Sequence, residues 1–354
     1  MDQGECYCFE VIWDYEGTIR QFLLRFFPLQ ESVEMFDTLK HRSFVKRTRT
    51  PDLRLSHLNV GCTVSVLNRQ LLVMKFADEK TRRAMEELFQ RTAVVFKVNE
   101  HLGEVLLNLT GSSGKNTGNM TLTRIKMALM DREDILKLGL VGQCHFKGPV
   151  IAAEVTGADA VGHCQEVMGV ISEPLGVQEF CYASPDLATA DWTLRLLFDK
   201  PRLNDAACDK GILCLIKPHA VREGLVPRIM KSITDHGFHI TAIETLVLER
   251  SVAERFLELY KSVLPEYLPW VDQLASGASV VLEVNHPEGT VYQRFRHLVG
   301  PSDPNVARTI RPNTLRAMYG RDKVHSGVHC TDLERDCQSD LEFIFRYIAR
   351  PDGR

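Results

Sequence analysis

The chain has 354 residues, and its 43 Lys and Arg against 46 Asp and Glu leave a formal net charge of −3. A charge this small gives no general attraction to nucleic acid or to membranes, so neither is expected as a partner. No apolar run approaches the roughly twenty residues of a membrane helix, and the N-terminal MDQGECYC lacks the features of a signal peptide. Ten cysteines without a CxxC spacing favour reduced thiols over disulfides or a protein-bound metal. The length predicts two or three domains.

The first ninety residues are rich in β-forming segments. Two such runs flank Asp14-Tyr15-Glu16-Gly17-Thr18, which is a hairpin signal. A helical pattern closes the region. The sequence therefore predicts a small antiparallel sheet or barrel closed by a helix, with strands in Cys6–Trp13, Ile19–Phe27, Ser32–Phe36, Phe44–Thr48 and Val64–Phe76, and the helix in Asp78–Phe89.

The rest of the chain contains an internal repeat. RTAVVFKVNEHLGEVLLNL, from Arg91, has the same layout of strand, lysine, turn and helix as GILCLIKPHAVREGLVPRI, from Gly211. KGPVIAAEVTGADAVGHCQEVMG, from Lys147, likewise parallels SGASVVLEVNHPEGTVYQRFRHLVG, from Ser276. A repeat with a period of about 120 residues predicts two copies of one domain, packed against each other.

Gly111-Ser112-Ser113-Gly114-Lys115-Asn116 looks superficially like a phosphate-binding P-loop. The P-loop pattern needs an earlier glycine and a Ser or Thr after the lysine, and this sequence has Leu109 and Asn116 there. We expect an ordinary loop.

In the C-terminal copy, strand and helix patterns alternate as β-α-β-β-α-β. This order predicts a split βαβ, ferredoxin-like sheet whose loops at one end build a site. Gly237 is expected to stop the first helix. The strands are expected in Ile212–Ile216, Phe238–Leu248 and Ser279–Val284, and the helices in Arg222–His236, Ala253–Ser262 and Pro269–Leu274.

Cations beside turns, together with one histidine, suggest a phosphate pocket in this copy. Phosphoryl transfer needs fixed cations around the phosphate oxygens and a nucleophile in line, and a neutral imidazole can attack phosphorus near neutral pH. Each of these residues taken alone would more often be a solvated arginine or a packed histidine, so the pattern as a whole carries the hypothesis. The residues are Lys217, Arg294, Arg296, Arg311, Arg316 and His329.

The motifs KPHAVREG, SGASVVLEV, RHLVGPSDP, RPNTLRAMYG and HSGVHCTD occur in the order and near the spacing of the nucleoside diphosphate kinase family, which the C-terminal third closely resembles. The resemblance implies a phosphohistidine at His329, oriented by Asp340. It also implies Mg²⁺ held mainly by the phosphates of a bound nucleotide. Contacts with that nucleotide are implied for Lys217, Tyr260, Arg296, Ser302, Arg316 and Ser326.

The sequence departs from the family pattern at four positions. His219 replaces an aspartate, Asn313 a glycine and Lys323 an apolar residue. Ser326 replaces the asparagine that binds the sugar 3′-hydroxyl in this family. Losing a hydrogen bond made in the transition state costs about 2 to 4 kcal/mol, so the resemblance implies impaired catalysis.

The first copy departs further, since Lys97 keeps the place of the lysine while no partner arginine follows and no histidine lies near Cys181-Tyr182-Ala183. About twenty residues are also missing after Gly169, where the family has its phosphate loop. We predict a degenerate copy.

Ser32-Val33-Glu34-Met35, Asp37, Arg42, Phe44, Lys46 and Arg47 are similar to the pattern of the doublet-microtubule accessory domain of ciliary proteins, which has a pleckstrin-homology-like fold. The basic residues around it (Lys40, Arg42, Lys46, Arg47 and Arg49) suit the acidic surface of tubulin, although charge clusters are more often solvated strand faces. The expected fold class is α+β and multidomain, with a PH-like domain in 1–90, a degenerate kinase-like domain in 91–203 and a kinase-like domain in 204–348.

The leading functional hypothesis is structural. The combined resemblance implies a microtubule inner protein of ciliary or flagellar doublet microtubules, located in the axoneme or basal body. Its implied partners are tubulin, other inner proteins and γ-tubulin complexes. One alternative is a nucleoside diphosphate kinase that moves the γ-phosphate of ATP through His329. Another is a nucleotide sensor without turnover.

Overall fold

The computed structural model describes residues 5–15, 18–51, 53–58, 60, 62–111, 120–140, 142, 146–199, 206–289 and 291–349. Within these ranges the strands form three antiparallel sheets that follow one another along the chain. The loop region 112–119, which includes most of the P-loop-like segment, lies outside the described residues.

The first sheet has six strands in the order β4-β3-β2-β1-β6-β5, and helix α1 follows it. The predicted hairpin is confirmed, because Tyr15 pairs with Thr18 across the first turn. Asp78 caps α1 by accepting a hydrogen bond from Thr81 N at 2.7 Å. The elements are β1 (Tyr7–Tyr15), β2 (Thr18–Phe27), β3 (Ser32–Asp37), β4 (Arg42–Arg49), β5 (Thr63–Val66), β6 (Arg69–Phe76) and α1 (Glu79–Leu88).

The prediction of one long strand in Val64–Phe76 is wrong. The chain turns at Leu67 and Asn68, whose φ angles are 51° and 63°, and β5 pairs back onto β6. Left-handed conformations at both central residues suit a two-residue hairpin, but Leu-Asn carries a weaker turn signal than Asn-Gly.

The second sheet has the order β10-β7-β9-β8. Numbered within the copy, this order is 4-1-3-2, as the ferredoxin-like prediction requires. The elements are β7 (Gln90–Lys97), α2 (Leu102–Leu109), β8 (Thr121–Leu129), α3 (Arg132–Lys137), β9 (Pro149–Gly157), α4 (Ala160–Ile171), β10 (Cys181–Ala183) and α5 (Leu187–Leu194).

The third sheet, β12-β13-β11-β14, has the same order when its strands are numbered in the same way. Its elements are β11 (Ile212–Ile216), α6 (Pro218–Arg222), α7 (Val226–Asp235), β12 (His239–Val247), α8 (Arg250–Phe256), α9 (Tyr267–Leu274), β13 (Ala278–Asn285), α10 (Val291–Val299), α11 (Pro304–Ile310), α12 (Leu315–Tyr319), β14 (Val328–Cys330) and α13 (Cys337–Glu342).

The prediction of one helix in Arg222–His236 is also wrong. Helix α6 ends at Arg222, and Gly224 takes a φ of +70° before α7 begins. The predicted stop at Gly237 is confirmed by its φ of +81°.

The two copies contact each other, as the repeat predicts. A Cβ added to Gly103 in α2 would lie 2.3 Å from Lys231 Cα in α7, so the two helices approach at backbone distance. At the sheet edges, Ile125 N donates to Thr245 Oγ1 and that hydroxyl donates to Ile125 O, both at 2.8 Å. Buried apolar residues of both copies join in one core.

Candidate functional site in the C-terminal copy

Lys217 stands where β11 ends, and Pro218 starts α6 directly after it. Its backbone N–H donates to Gly327 O at 3.0 Å, and its Nζ donates to Val324 O at 2.9 Å. Burial lowers the pKa of Lys217 to about 7, and the positive charge of Arg316 adds to the shift. A phosphate anion beside this buried amine would strongly favour its charged form.

Arg316 supplies a second buried cation. It lies in the first turn of α12 and is 5% exposed. Its Nε donates to Val328 O at 3.2 Å and its Nη1 donates to Gly300 O at 3.1 Å. Within the described residues no carboxylate forms an ion pair with it. Gly300 is required here, because an added Cβ would lie 2.3 Å from Thr314 Oγ1.

His329 lies at the middle of β14, paired with Leu215 of β11, and is 4% exposed. Its ring makes edge-to-face contacts with Phe256 and Tyr260, at centroid distances of 5.4 and 6.2 Å. Burial lowers the pKa of His329 to about 3, although Asp332 opposes the shift. The imidazole is therefore neutral at physiological pH, which is the form that can attack phosphorus.

Asp332 holds two of the predicted residues in place. Tyr260 Oη donates to one carboxylate oxygen, and Arg296 Nη1 donates to the other and also to Cys330 Sγ. Tyr292 Oη donates to Asp332 O at 2.5 Å. Burial alone would raise the pKa of Asp332, but the Tyr260 hydrogen bond and the Arg296 charge lower it. Asp332 was not among the residues predicted from the sequence, although its place three residues after His329 was a usable signal.

The other predicted residues differ in their proximity to His329. Ser326 is buried beside it, and its hydroxyl donates to Val328 O at 3.4 Å. Ser302 is exposed on the segment between α10 and α11, two residues after the carbonyl that Arg316 contacts. Asp340 accepts a hydrogen bond from Thr331 Oγ1 at 2.8 Å, so its observed partner is not the predicted His329. Burial raises the pKa of Asp340 to about 6.

His219 fills a buried place next to Lys217. Gln273 Nε2 donates to its Nδ1 at 3.0 Å, and the ring of His325 meets it edge-on at 5.1 Å. Burial lowers the pKa of His219 to about 3, so this ring adds no charge to the pocket at neutral pH.

The known proteins that resemble this chain agree with the site described above. The family model described as "Nucleoside diphosphate kinase" matches residues 211–348. "Nucleoside diphosphate kinase homolog 7" of Mus musculus is 32% identical over 98% of this chain and 94% of its own length. The protein of the same name from Rattus norvegicus is 30% identical, with the same coverage of both chains. The chain belongs to the nucleoside diphosphate kinase family. Within that family it is of the homolog 7 type, because the likeness runs through nearly the whole chain.

Among solved structures, the nucleoside diphosphate kinase of Aquifex aeolicus is 27% identical over 38% of this chain and 94% of its own, with a TM-score of 0.36. In the described part of the chain no helix is long and apolar enough to cross a membrane.

A nucleoside diphosphate kinase site needs phosphate-binding cations, a nucleophile and Mg²⁺ carried by the nucleotide. The side chains of Lys217, Arg316 and His329 are all buried, and the charges of the two cations act on the imidazole. Among the described residues there is no group of three or more His, Cys, Asp or Glu that could hold a metal.

Proposed function

We propose that the C-terminal copy, residues 204–348, binds nucleoside di- and triphosphates and slowly transfers the γ-phosphate of the triphosphate through His329. The observation that carries this proposal is a buried, neutral imidazole beside two buried cations, Lys217 and Arg316, whose hydrogen bonds go to backbone carbonyls. An incoming phosphate would give both cations an anionic partner, and neither cation forms an ion pair among the described residues. A buried cation without such a partner is costly to keep unless it serves a ligand.

The proposed reaction proceeds in two half-reactions. An imidazole nitrogen of His329 forms a bond to the γ-phosphorus, the bond from phosphorus to the β-phosphate oxygen breaks, and the nucleoside diphosphate leaves. A second nucleoside diphosphate then attacks the phosphohistidine through its terminal oxygen and restores the imidazole. Lys217 and Arg316 neutralise charge on the transferring group. Mg²⁺ bound to the nucleotide would supply further charge neutralisation.

Ser326 is the reason why the transfer is expected to be slow. Its hydroxyl is directed to Val328 O, and its side chain is too short to reach the sugar hydroxyl that the family asparagine binds. The cations that would bind the substrate phosphates are thus retained, while the hydrogen bond to the sugar hydroxyl that forms in the transition state is missing.

Labelling with γ-³²P-ATP tests the proposal. The protein should acquire acid-labile phosphate that is lost on adding a nucleoside diphosphate, and His329→Ala should acquire none. His325→Ala, which changes a half-buried histidine four residues before His329, is the matched control and should label as the wild type does. Absence of label in the wild type, or label that persists in His329→Ala, would refute the proposal.

A second candidate function concerns the first 90 residues, for which we propose a PH-like accessory domain that binds tubulin. Strand β4 lies at the edge of its sheet and exposes Arg42 and Lys46. Neither side chain forms an ion pair within the described residues, whereas Arg47 and Arg49 pair with Glu34 and Glu31. A free basic edge suits an acidic protein surface, although charged edge strands also prevent aggregation.

On this proposal the protein is a microtubule inner protein of ciliary or flagellar doublets, with other inner proteins and γ-tubulin complexes as further partners. The degenerate copy, residues 91–203, would serve as a structural spacer. Tagged protein should remain with salt-extracted axonemes, and the double variant Arg42→Ala, Lys46→Ala should be released. The matched double variant Arg82→Ala, Arg83→Ala on α1 should be retained. Release of the wild-type protein would count against this role.

A further inference from the structure

A second cavity, of about 660 Å³, lies in the C-terminal copy away from His329. It opens between the end of α7, the end of β13, helix α10 and the segment that precedes α12. Its size is ordinary for a small-molecule site. The lining residues are His236, Phe238, His286, Gln293, Arg294, His297, Leu298, Arg311, Pro312, Asn313 and Thr314.

The lining of this cavity is basic. Three histidines and two arginines contribute to it, and no carboxylate is among the lining residues that the structure describes. Arg294 forms an ion pair with Glu288 at 2.9 Å, outside the lining. Arg311 is exposed, and its guanidinium has no ion pair within the described part of the chain. The cavity therefore carries positive charge that its own wall does not neutralise.

Two hydrogen-bond donors face each other inside it. The backbone N–H of Glu288 donates to His286 Nδ1 at 3.1 Å, so that nitrogen is an acceptor. In the tautomer that matches this contact, His286 Nε2 carries the ring hydrogen, and this nitrogen lies 3.4 Å from Arg294 Nη1. Two N–H groups cannot form a hydrogen bond with each other. An anionic oxygen placed beside both would accept from each.

The floor of the cavity is apolar and rigid. Phe238 and Leu298 are 4% and 6% exposed. The ring of Phe238 packs edge-to-face on His286 at 5.1 Å and on Phe295 at 5.2 Å, which fixes the orientation of the imidazole. An apolar floor lowers the local dielectric and strengthens the attraction between the basic wall and an anion.

We propose that this cavity is a second site for a phosphate-type anion, with Arg311, Arg294 and His286 as its donors. The site is distinct from the His329 pocket, although helix α10 serves both: its Arg296 contacts Asp332 on one side, and its Arg294 lines the cavity. The proposal does not depend on phosphoryl transfer at His329. The phosphate could be free pyrophosphate or the phosphates of a nucleotide, which share the recognised chemistry.

The test uses the full chain carrying Lys217→Met, which removes a cation of the His329 pocket and leaves the cavity intact. Calorimetric titration of this protein with pyrophosphate should give saturable binding. Adding Arg311→Ala should weaken it at least tenfold, and Arg294→Gln should weaken it as well. Arg335→Ala, in which an arginine 82% exposed and outside the lining is removed, should bind as the Lys217→Met parent does.

A parallel titration with ADP identifies the source of the phosphate. Tighter binding of ADP than of pyrophosphate, with the same dependence on Arg311, would indicate a nucleotide. The proposal is overturned if the Lys217→Met protein binds neither probe, or if Arg311→Ala and Arg294→Gln both bind like their parent. Because Arg311 and Arg294 are exposed, these variants should fold, and thermal unfolding of each protein verifies that they do.

Discussion

The two kinase-like copies share one sheet topology but differ at each position that chemistry would need. Lys97 and Lys217 end equivalent strands, yet Lys97 Nζ donates to the carboxylate of Glu179, while Lys217 Nζ donates to Val324 O and lies 4.9 Å from the centre of the Trp270 ring. In the C-terminal copy His329 of β14 pairs with Leu215 of β11. At the equivalent position of the first copy, Tyr182 pairs with Val95. A copy can therefore keep its core after losing its pocket.

The first copy has a shorter chain segment where the C-terminal copy carries Arg316. The segment between α10 and β14 spans residues 300–327 and includes α11 and α12. Arg316 lies in α12. The matching segment between α4 and β10 spans only residues 172–180 and contains no helix. Tyr182 instead uses its hydroxyl in a hydrogen bond with Thr193 Oγ1 at 3.1 Å, which is a packing role.

A buried glutamate distinguishes the copies in another way. Glu154 in β9 and Glu283 in β13 occupy equivalent places. Glu283 accepts hydrogen bonds from Ala207 N and Cys208 N, whereas Glu154 pairs with Arg91 and Arg124. Arg91 also donates to Val60 O at 2.8 Å, so the Glu154 cluster joins the first copy to the N-terminal sheet.

The largest effect is expected from Glu154→Ala. This change leaves two arginines without their carboxylate, and breaking a buried pair in this way costs about 3 to 5 kcal/mol. Urea unfolding should show the loss. Glu283→Gln should cost less, because its amide oxygen can still accept from Cys208 N and its amide NH2 can donate to Thr241 Oγ1. Equal losses in the two variants would contradict the difference between these clusters.

The second largest effect is expected when Lys217 and Lys97 are replaced separately and phosphorylation of His329 is compared. Lys217→Met should weaken nucleotide-dependent phosphorylation of His329 by about 100- to 1,000-fold, the usual effect of losing one preorganised charge contact. Lys97→Met should leave it unchanged, because Lys97 is neutralised by Glu179. Initial rates of labelling with γ-³²P-ATP measure both. A loss in Lys97→Met would mean that the first copy takes part.

Ser326→Asn is expected to raise the phosphotransfer rate about tenfold, equivalent to about 1.4 kcal/mol. The longer amide would reach the sugar hydroxyl as charge develops on the leaving oxygen. Single-turnover rates measure the change. An unaltered rate with correctly folded protein would show that Ser326 is not what limits the reaction.

The smallest expected effect is on the pH dependence of nucleotide binding. The folded pKa of Lys217 is lowered to about 7, so the free protein loses this proton as the pH rises through 7. A bound phosphate favours the charged lysine, so binding takes up a proton and affinity falls as the pH rises above 7, by about fivefold between pH 7 and 8. Titrations in buffers of different ionisation enthalpy would detect this proton. Affinity independent of pH between 7 and 8.5 would exclude the mechanism.

The sequence predicted the repeat because it depends on local patterns, such as an apolar strand that ends at a lysine. It failed where long-range contacts decide the outcome. The break at Gly224 looked like a tolerated helical glycine, and the turn at Leu67 and Asn68 lacked a turn glycine. Asp332 was missed because its partners, Tyr260 and Arg296, come from other elements that only the fold brings together.

Hydrogen–deuterium exchange with and without ADP compares both copies in one experiment, and it tests most directly whether only the C-terminal pocket binds nucleotide. We expect ADP to protect backbone amides around Lys217 and in residues 314–332 from exchange. We expect no new protection at the equivalent places around Lys97 and in residues 179–183. Protection of both regions, or of the first copy alone, would contradict it.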